Sequence, residues 1–228
     1  MRTWNWDRIA ASTGIGTVVL FIVGFLLVGD SPKLDDPARE IATYYSGERG
    51  SLVTAVILFG LGSVLLIWFV SALATTLREA GQARLAATAF GGGLAVAGVL
   101  FFLLVATAGA MLTAQEGGDE SAVQALNQLS WAAEVVITWP VAVLVGATAA
   151  AAFRSLVFPQ WHAWAGGIAA LLFLLGGTTW AKDGIWAPDG AYGIITFILF
   201  LVWLVVTSAL LVRRAKAAEA PLAAQAST

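Results

Sequence analysis

The chain has 228 residues, 59% hydrophobic and 11% charged, with mean hydropathy +0.85 and a formal net charge of −2. A soluble domain carries about 25% charged residues, so most of this surface is suited to lipid rather than water. There is no cysteine, which excludes disulfides, thiolate chemistry and cysteine-ligated metal.

A bilayer-spanning helix needs about 20 consecutive apolar residues. Six stretches meet or approach that length: Ile9–Gly29, Ser51–Leu77, Leu85–Ala114, Leu126–Phe153, Ala163–Ala181 and Ala191–Val212. They predict an all-α bundle of six transmembrane helices, a single domain over residues 1–216. The first stretch follows Arg2 and Arg8, as a signal peptide would. At about 21 residues it exceeds the usual core of about 7–15, and Val28-Gly29-Asp30-Ser31 offers no small-x-small cleavage site. It reads as a retained helix.

The loop after it, Asp30–Gly50, contains Asp35-Asp36-Pro37, an acidic helix start with proline at the first helical position. Ile41, Tyr44 and Tyr45 would then share one face, with Gly47 as the stop. This predicts a short amphipathic helix lying at the membrane interface or capping the bundle. Small residues recur at four-residue spacing in Ser12/Gly16, Ala89/Gly93/Ala97, Ala106/Ala110/Ala114 and Ala142/Gly146/Ala150, which permits close helix approach within the chain. Gly91-Gly92-Gly93 lies inside a span and follows no strand, so it marks tight packing or flexibility, not a phosphate loop. In the loop 115–125, Asp119 is placed to cap an extension of the fourth helix. Its acidic neighbours are too few to form a calcium loop.

The fourth span carries the only charge within the six stretches, Glu134. A carboxylate at such depth costs a few kcal/mol and usually faces a cavity or a partner. Asn127, Ser130, Glu134 and Thr138 follow at spacings of three or four and so share one helix face. Pro140 removes a backbone donor just beyond them and predicts a kink. If the helix begins near Leu126, Glu134 lies about 12 Å below its end. Arg49 and Lys182 are the candidate cationic partners, and Trp68, Trp139 and Trp203 the candidate walls of a cavity. A protonated carboxyl hydrogen-bonded to a neighbouring helix is the competing, structural role.

The single histidine, His162, sits between Trp161 and Trp164 and reads as a headgroup-level anchor. One histidine cannot form the usual intramembrane metal or bis-histidyl haem site. No nucleophile elbow, zinc-protease helix or P-loop is present, and no lysine falls mid-span. The reading is therefore non-enzymatic, with no cofactor, no metal and no nucleic-acid partner. The tail, Arg213-Arg214-Ala215-Lys216 and then mostly small residues, reads as a basic anchor followed by a disordered end at 217–228.

Six spans put both termini on one side. With that side taken as cytoplasmic, Arg2, Arg8, Arg78, Arg84, Arg154, Arg213, Arg214 and Lys216 lie inside, and Lys33, Arg39, Arg49 and Lys182 outside. The positive-inside rule then favours cytoplasmic termini. Trp4, Trp6, Trp161 and Trp164 fall at the inner interface and Trp180 and Trp186 at the outer one, where amphipathic rings prefer to sit.

Four segments carry a resemblance: the Asp35-to-Tyr45 outer loop; Trp68-Phe69-Val70-Ser71-Ala72-Leu73 with Leu77-Arg78; Leu129-Ser130-Trp131; and Phe158-Pro159-Gln160-Trp161. Together they resemble a six-helix integral membrane protein family, a domain of unknown function, of high-GC Gram-positive bacteria. The resemblance implies a bacterial inner (cell) membrane location and no assigned activity. The expected function is a non-enzymatic accessory, scaffold or regulatory membrane subunit, in contact with the bilayer and with another membrane protein or a second copy. The alternative is a small transporter or proton-coupled channel using Glu134.

Overall fold

The computed structural model describes residues 6–225; Arg2, Trp4 and the last three residues lie outside it. Eight helices follow in order: α1 (Trp6–Val28), α2 (Ala38–Gly47), α3 (Arg49–Glu79), α4 (Ala83–Gln115), α5 (Glu120–Val136), α6 (Thr138–Ser155), α7 (Gln160–Gly176) and α8 (Ala191–Gln225). No strand occurs among the described residues. Five segments are long and apolar enough to cross a bilayer: Arg8–Val28, Arg49–Glu79, Ala83–Gln115, Glu120–Ser155 and Ala191–Ala215. They are the helices of a multi-pass membrane protein. The stretch expected at Ala163–Ala181 is α7, only 17 residues long. That is about 25 Å of helix against a hydrocarbon core of about 30 Å. It begins three residues earlier than expected and ends at Gly176, where Thr178 and Thr179 turn the chain back with bonds to Leu175 and Gly176 carbonyls. α8 continues as helix to Gln225, into the segment expected to be disordered.

The helices pack as a nearly closed chain of neighbours. α1 lies along α3, α3 along α4, α4 along α5 and α6, α6 along α7, and α8 along α1, with a shorter contact from α7 to α8. Lipid supplies no hydrophobic force between spans, so close backbone approach must drive these contacts. The glycine rows do this. A Cβ on Gly62 would meet the Phe21 ring, and one on Gly24 the Phe59 ring, which fixes α1 against α3. Thr17 reinforces that seam by donating to the Gly62 carbonyl at 3.1 Å. Gly93 receives Val70 of α3, and Gly146 and Gly166 face Ala170 and Ala149 across the antiparallel α6–α7 pair. Three of the four small-residue rows therefore lie at helix contacts within the chain, while Ser12 of the fourth is exposed.

α2 forms where the Asp/Pro-rich loop predicts it. Its start differs in detail, because Pro37 occupies the capping position and no side chain caps it. Asp36 instead accepts from the Lys33 amide at 2.8 Å. Ile41 and Tyr45 are buried with Leu52, Ala110, Met111 and Val123, and Tyr44 and Leu126 pack alongside. α2 thus lies over the ends of α4 and α5. Asp119 caps α5 as expected, accepting from the Ser121 amide at 2.9 Å and hydroxyl at 2.8 Å. The Ser121 hydroxyl, then its amide, holds the Asp119 carboxyl below the usual range.

Candidate functional site

α5 and α6 form one 36-residue apolar segment, interrupted only at Ile137, whose backbone stays in the helical region at φ −60°, ψ −25°. The interruption falls three residues before Pro140, because proline has no N–H for the Val136 carbonyl one turn back. The helix starts at Glu120 rather than near Leu126. Glu134 therefore lies about 21 Å along it from its Asp119-capped end.

At about 100° per residue, Asn127, Ser130, Glu134 and Thr138 occupy an arc of about 80°. The arc is the buried face of the helix. Val123, Asn127, Ser130, Ala133, Val135 and Thr138 are all buried, with Asn127 only 3% exposed. Glu134 is the exception, exposed in the middle of that face. The lipid face lies on the opposite side, at Ala125, Leu129 and Val136. Glu134 forms no hydrogen bond or ion pair among the described residues.

Its surroundings are built by other elements. From α2, the Tyr45 hydroxyl donates to Asn127 Oδ1 at 3.0 Å, while the Asn127 amide nitrogen is buried without a partner. Burial pushes the Tyr45 phenol above its ordinary value, and Tyr44 and then Glu134 add to the shift. Glu134 is thus within electrostatic reach of the α2 helix. The Tyr44 phenol is pushed up to about 12 by burial and the nearby Glu48, and its hydroxyl donates to the Val28 carbonyl at 2.7 Å. From α4, Thr107 meets Ser130 at 3.5 Å, and Ser130 itself donates to the Leu126 carbonyl at 3.2 Å. Thr138 donates to the Val135 carbonyl at 2.7 Å. The 29–37 segment crosses above: Trp131 donates to the Pro32 carbonyl at 3.1 Å, and Gln124 to that of Asp36 at 3.4 Å. Leu34 is tied to Asp189 of the loop before α8 at 3.4 Å. α2 and this segment thus pack over the Glu120 end of α5.

No family model, curated protein or solved structure matches the chain. The site must be read from its own geometry.

Several expected members are elsewhere. Arg49, at the start of α3, and Lys182, in the loop between α7 and α8, are exposed and form no ion pair with Glu134. Trp68 and Trp139 are 53% and 46% exposed on the outer surface, and Trp139 lies across Gly177 of the α7 end. Trp203 is buried, packed edge-on against Phe69 and stacked near Phe200. The three tryptophans therefore do not meet as one wall. His162 is not a headgroup anchor: it is 2% exposed, its Nε2 lying 3.0 Å from the Thr207 hydroxyl of α8. In a helix beginning at Gln160, Trp161 and Trp164 share the outer face, and His162 turns inward with Gly166 and Ala169. Tyr45 and Trp131, which tie α2 and the 29–37 segment to α5, escaped the sequence reading. Their partners lie in other elements, so only the aromatic identity was visible. Among the described residues no cluster of three His, Asp or Glu side chains forms a metal site.

Proposed function

We propose that the protein is a small transporter or proton-coupled channel of the bacterial inner membrane, with Glu134 as the carboxylate that its solute or proton meets. The observation that carries this reading is an accessible carboxylate on an otherwise buried helix face, with no hydrogen bond or ion pair among the described residues. Charged side chains at that depth mark pathways because their cost is otherwise uncompensated. An accessory or scaffolding role would favour a sealed Glu134 with its hydrogen bonds met, and nothing around the residue supplies them.

The reading includes six spans, with α7 as the fifth. Gly146, Gly166 and Gly176 pair α7 with α6 along its whole length, Gly176 meeting Thr138 near the top and Gly166 meeting Ala149 below. A short span of this kind is tolerated by local thinning of the bilayer or by snorkelling side chains. Both termini are then cytoplasmic, and α2 caps the bundle at the extracytoplasmic face. The charge distribution supports this orientation, and the exposed Trp161, Trp164 and Trp180 fit the span boundaries. The reading assigns no enzymatic role and no cofactor.

The test is flux in proteoliposomes. Wild-type protein should raise the permeability of vesicles to protons or a small solute, and Glu134→Gln, which keeps the shape and cannot ionise, should remove that increase. Equal flux through both proteins would end the proposal.

A further inference from the structure

We infer that the α6–α7 turn, together with the end of α8 that reaches it, binds an anionic phospholipid of the leaflet it borders. Arg154 and Arg214 hold the headgroup phosphate, and Leu156 enters the edge of the hydrocarbon. The inference needs α6 and α8 to span the bilayer, and both lie in segments long enough to do so; it does not depend on transport.

Leu156 closes α6 at φ 53°, ψ 25°, the only non-glycine residue in the left-handed region among those described. Helices commonly end on that conformation with glycine, because a Cβ crowds the backbone there. Packing within the protein does not call for leucine either, since its side chain is 74% exposed. The next two side chains, Val157 and Phe158, are buried in the core, which leaves Leu156 on the outside of the turn. Phe153, Trp161 and Trp164 are exposed as well, with Phe153 meeting Trp164 edge-on at 5.0 Å. An apolar fringe bearing tryptophans at the end of a span suits the headgroup level of a bilayer.

The same corner is positively charged. Arg154, on the last turn of α6, is exposed and forms no hydrogen bond or ion pair among the described residues. Arg214 of α8 reaches the turn three residues further on, donating from Nη1 to the Val157 carbonyl at 3.2 Å. That bond uses one corner of the guanidinium fork, and the residue stays exposed. No acid competes from these elements: the sequence has no Asp or Glu between Glu134 and Asp183, nor between Asp189 and Glu219. Two uncompensated arginines beside an exposed leucine suit a ligand with an anionic head and an apolar tail. Guanidinium forks match phosphate oxygens. A soluble anion would leave Leu156 in water, and a zwitterionic lipid would offset its phosphate with its own cation.

Thermal melting of the full chain in neutral detergent micelles tests the headgroup. Dioctanoyl-phosphatidylglycerol should raise Tm saturably, while dioctanoyl-phosphatidylcholine and inorganic phosphate should not. Arg154→Gln should weaken the phosphatidylglycerol response about fivefold, the usual contribution of one basic residue at an anionic surface. Arg154→Lys, which keeps the charge, should retain most of it; the lipid-free Tm of each variant reports its folding. Leu156→Cys carrying a polarity-sensitive dye should be quenched in vesicles by lipids with a shallow spin label. Equal responses to the two lipids, a response to phosphate alone, an unchanged Arg154→Gln or an unquenched dye at 156 would each overturn the inference. None of these readouts involves flux or Glu134, so the transport reading stands or falls separately.

Discussion

Glu134→Leu is expected to leave stability unchanged or raise it by up to about 2 kcal/mol, while abolishing any flux it supports. A carboxylate in the apolar interior of a membrane helix is a cost of a few kcal/mol unless it is paired. Glu134 forms no hydrogen bond or ion pair among the described residues, so removing it breaks nothing. Leucine adds apolar surface to a face that otherwise consists of buried side chains, and it is a good helix former. Sites kept for function are often destabilising in this way, and their removal exchanges activity for stability. The measurement is reversible unfolding in mixed detergent micelles. A loss of 2 kcal/mol or more would show that the carboxyl is a structural hydrogen-bond donor after all, and would favour the scaffolding role.

The second large effect concerns the Gly91-Gly92-Gly93 run of α4. A Cβ on Gly92 would lie 2.8 Å from the Leu144 amide nitrogen and 3.1 Å from the Pro140 carbonyl oxygen. Both are backbone atoms of α6, so neither can move aside as a side chain could. Gly92→Ala should therefore separate α4 from α6 and destabilise by about 1–3 kcal/mol, the usual cost of overpacking. Gly91 has nothing within 4 Å of its would-be Cβ. Gly91→Ala should be neutral or stabilising, by at most about 1 kcal/mol from helix propensity. Equal effects at the two neighbours would mean that glycine serves flexibility in α4 rather than close approach. The contact also touches the site indirectly, because Pro140 and Leu144 belong to the segment just past the helix interruption below Glu134.

Local chemistry explains which features could be read from the sequence. The long apolar stretches, the α2 helix and the Asp119 cap depend on neighbouring residues and formed near their expected places, although only five segments are long enough to span and α8 runs on to Gln225. The polar stripe was legible for the same reason, since helical spacing alone puts Asn127, Ser130, Glu134 and Thr138 on one face. Long-range partners were not legible. The Tyr45–Asn127 bond joins residues 82 apart, and only folding reveals that α2 descends onto α5. Charge alone nominated Arg49 and Lys182, but one is exposed at the start of α3 and the other in the α7–α8 loop, where water solvates them more cheaply than burial would. His162 illustrates the limit of composition. Its tryptophan neighbours suggested an interface, yet helical spacing turns it about 100° from Trp161 and about 160° from Trp164.

The central claim is that the side chain at position 134 faces water-accessible space inside the bundle. The chain contains no cysteine, so single cysteines can be introduced without altering any native thiol. Only the ionised thiol reacts, and a small, cationic, water-soluble thiosulfonate reagent therefore reports where water reaches. Cysteine at 134 should react readily in membranes, while cysteine at Val136 on the lipid face and at buried Ala133 should stay unmodified. If position 134 proves as inert as those two, Glu134 is sealed and the account is wrong.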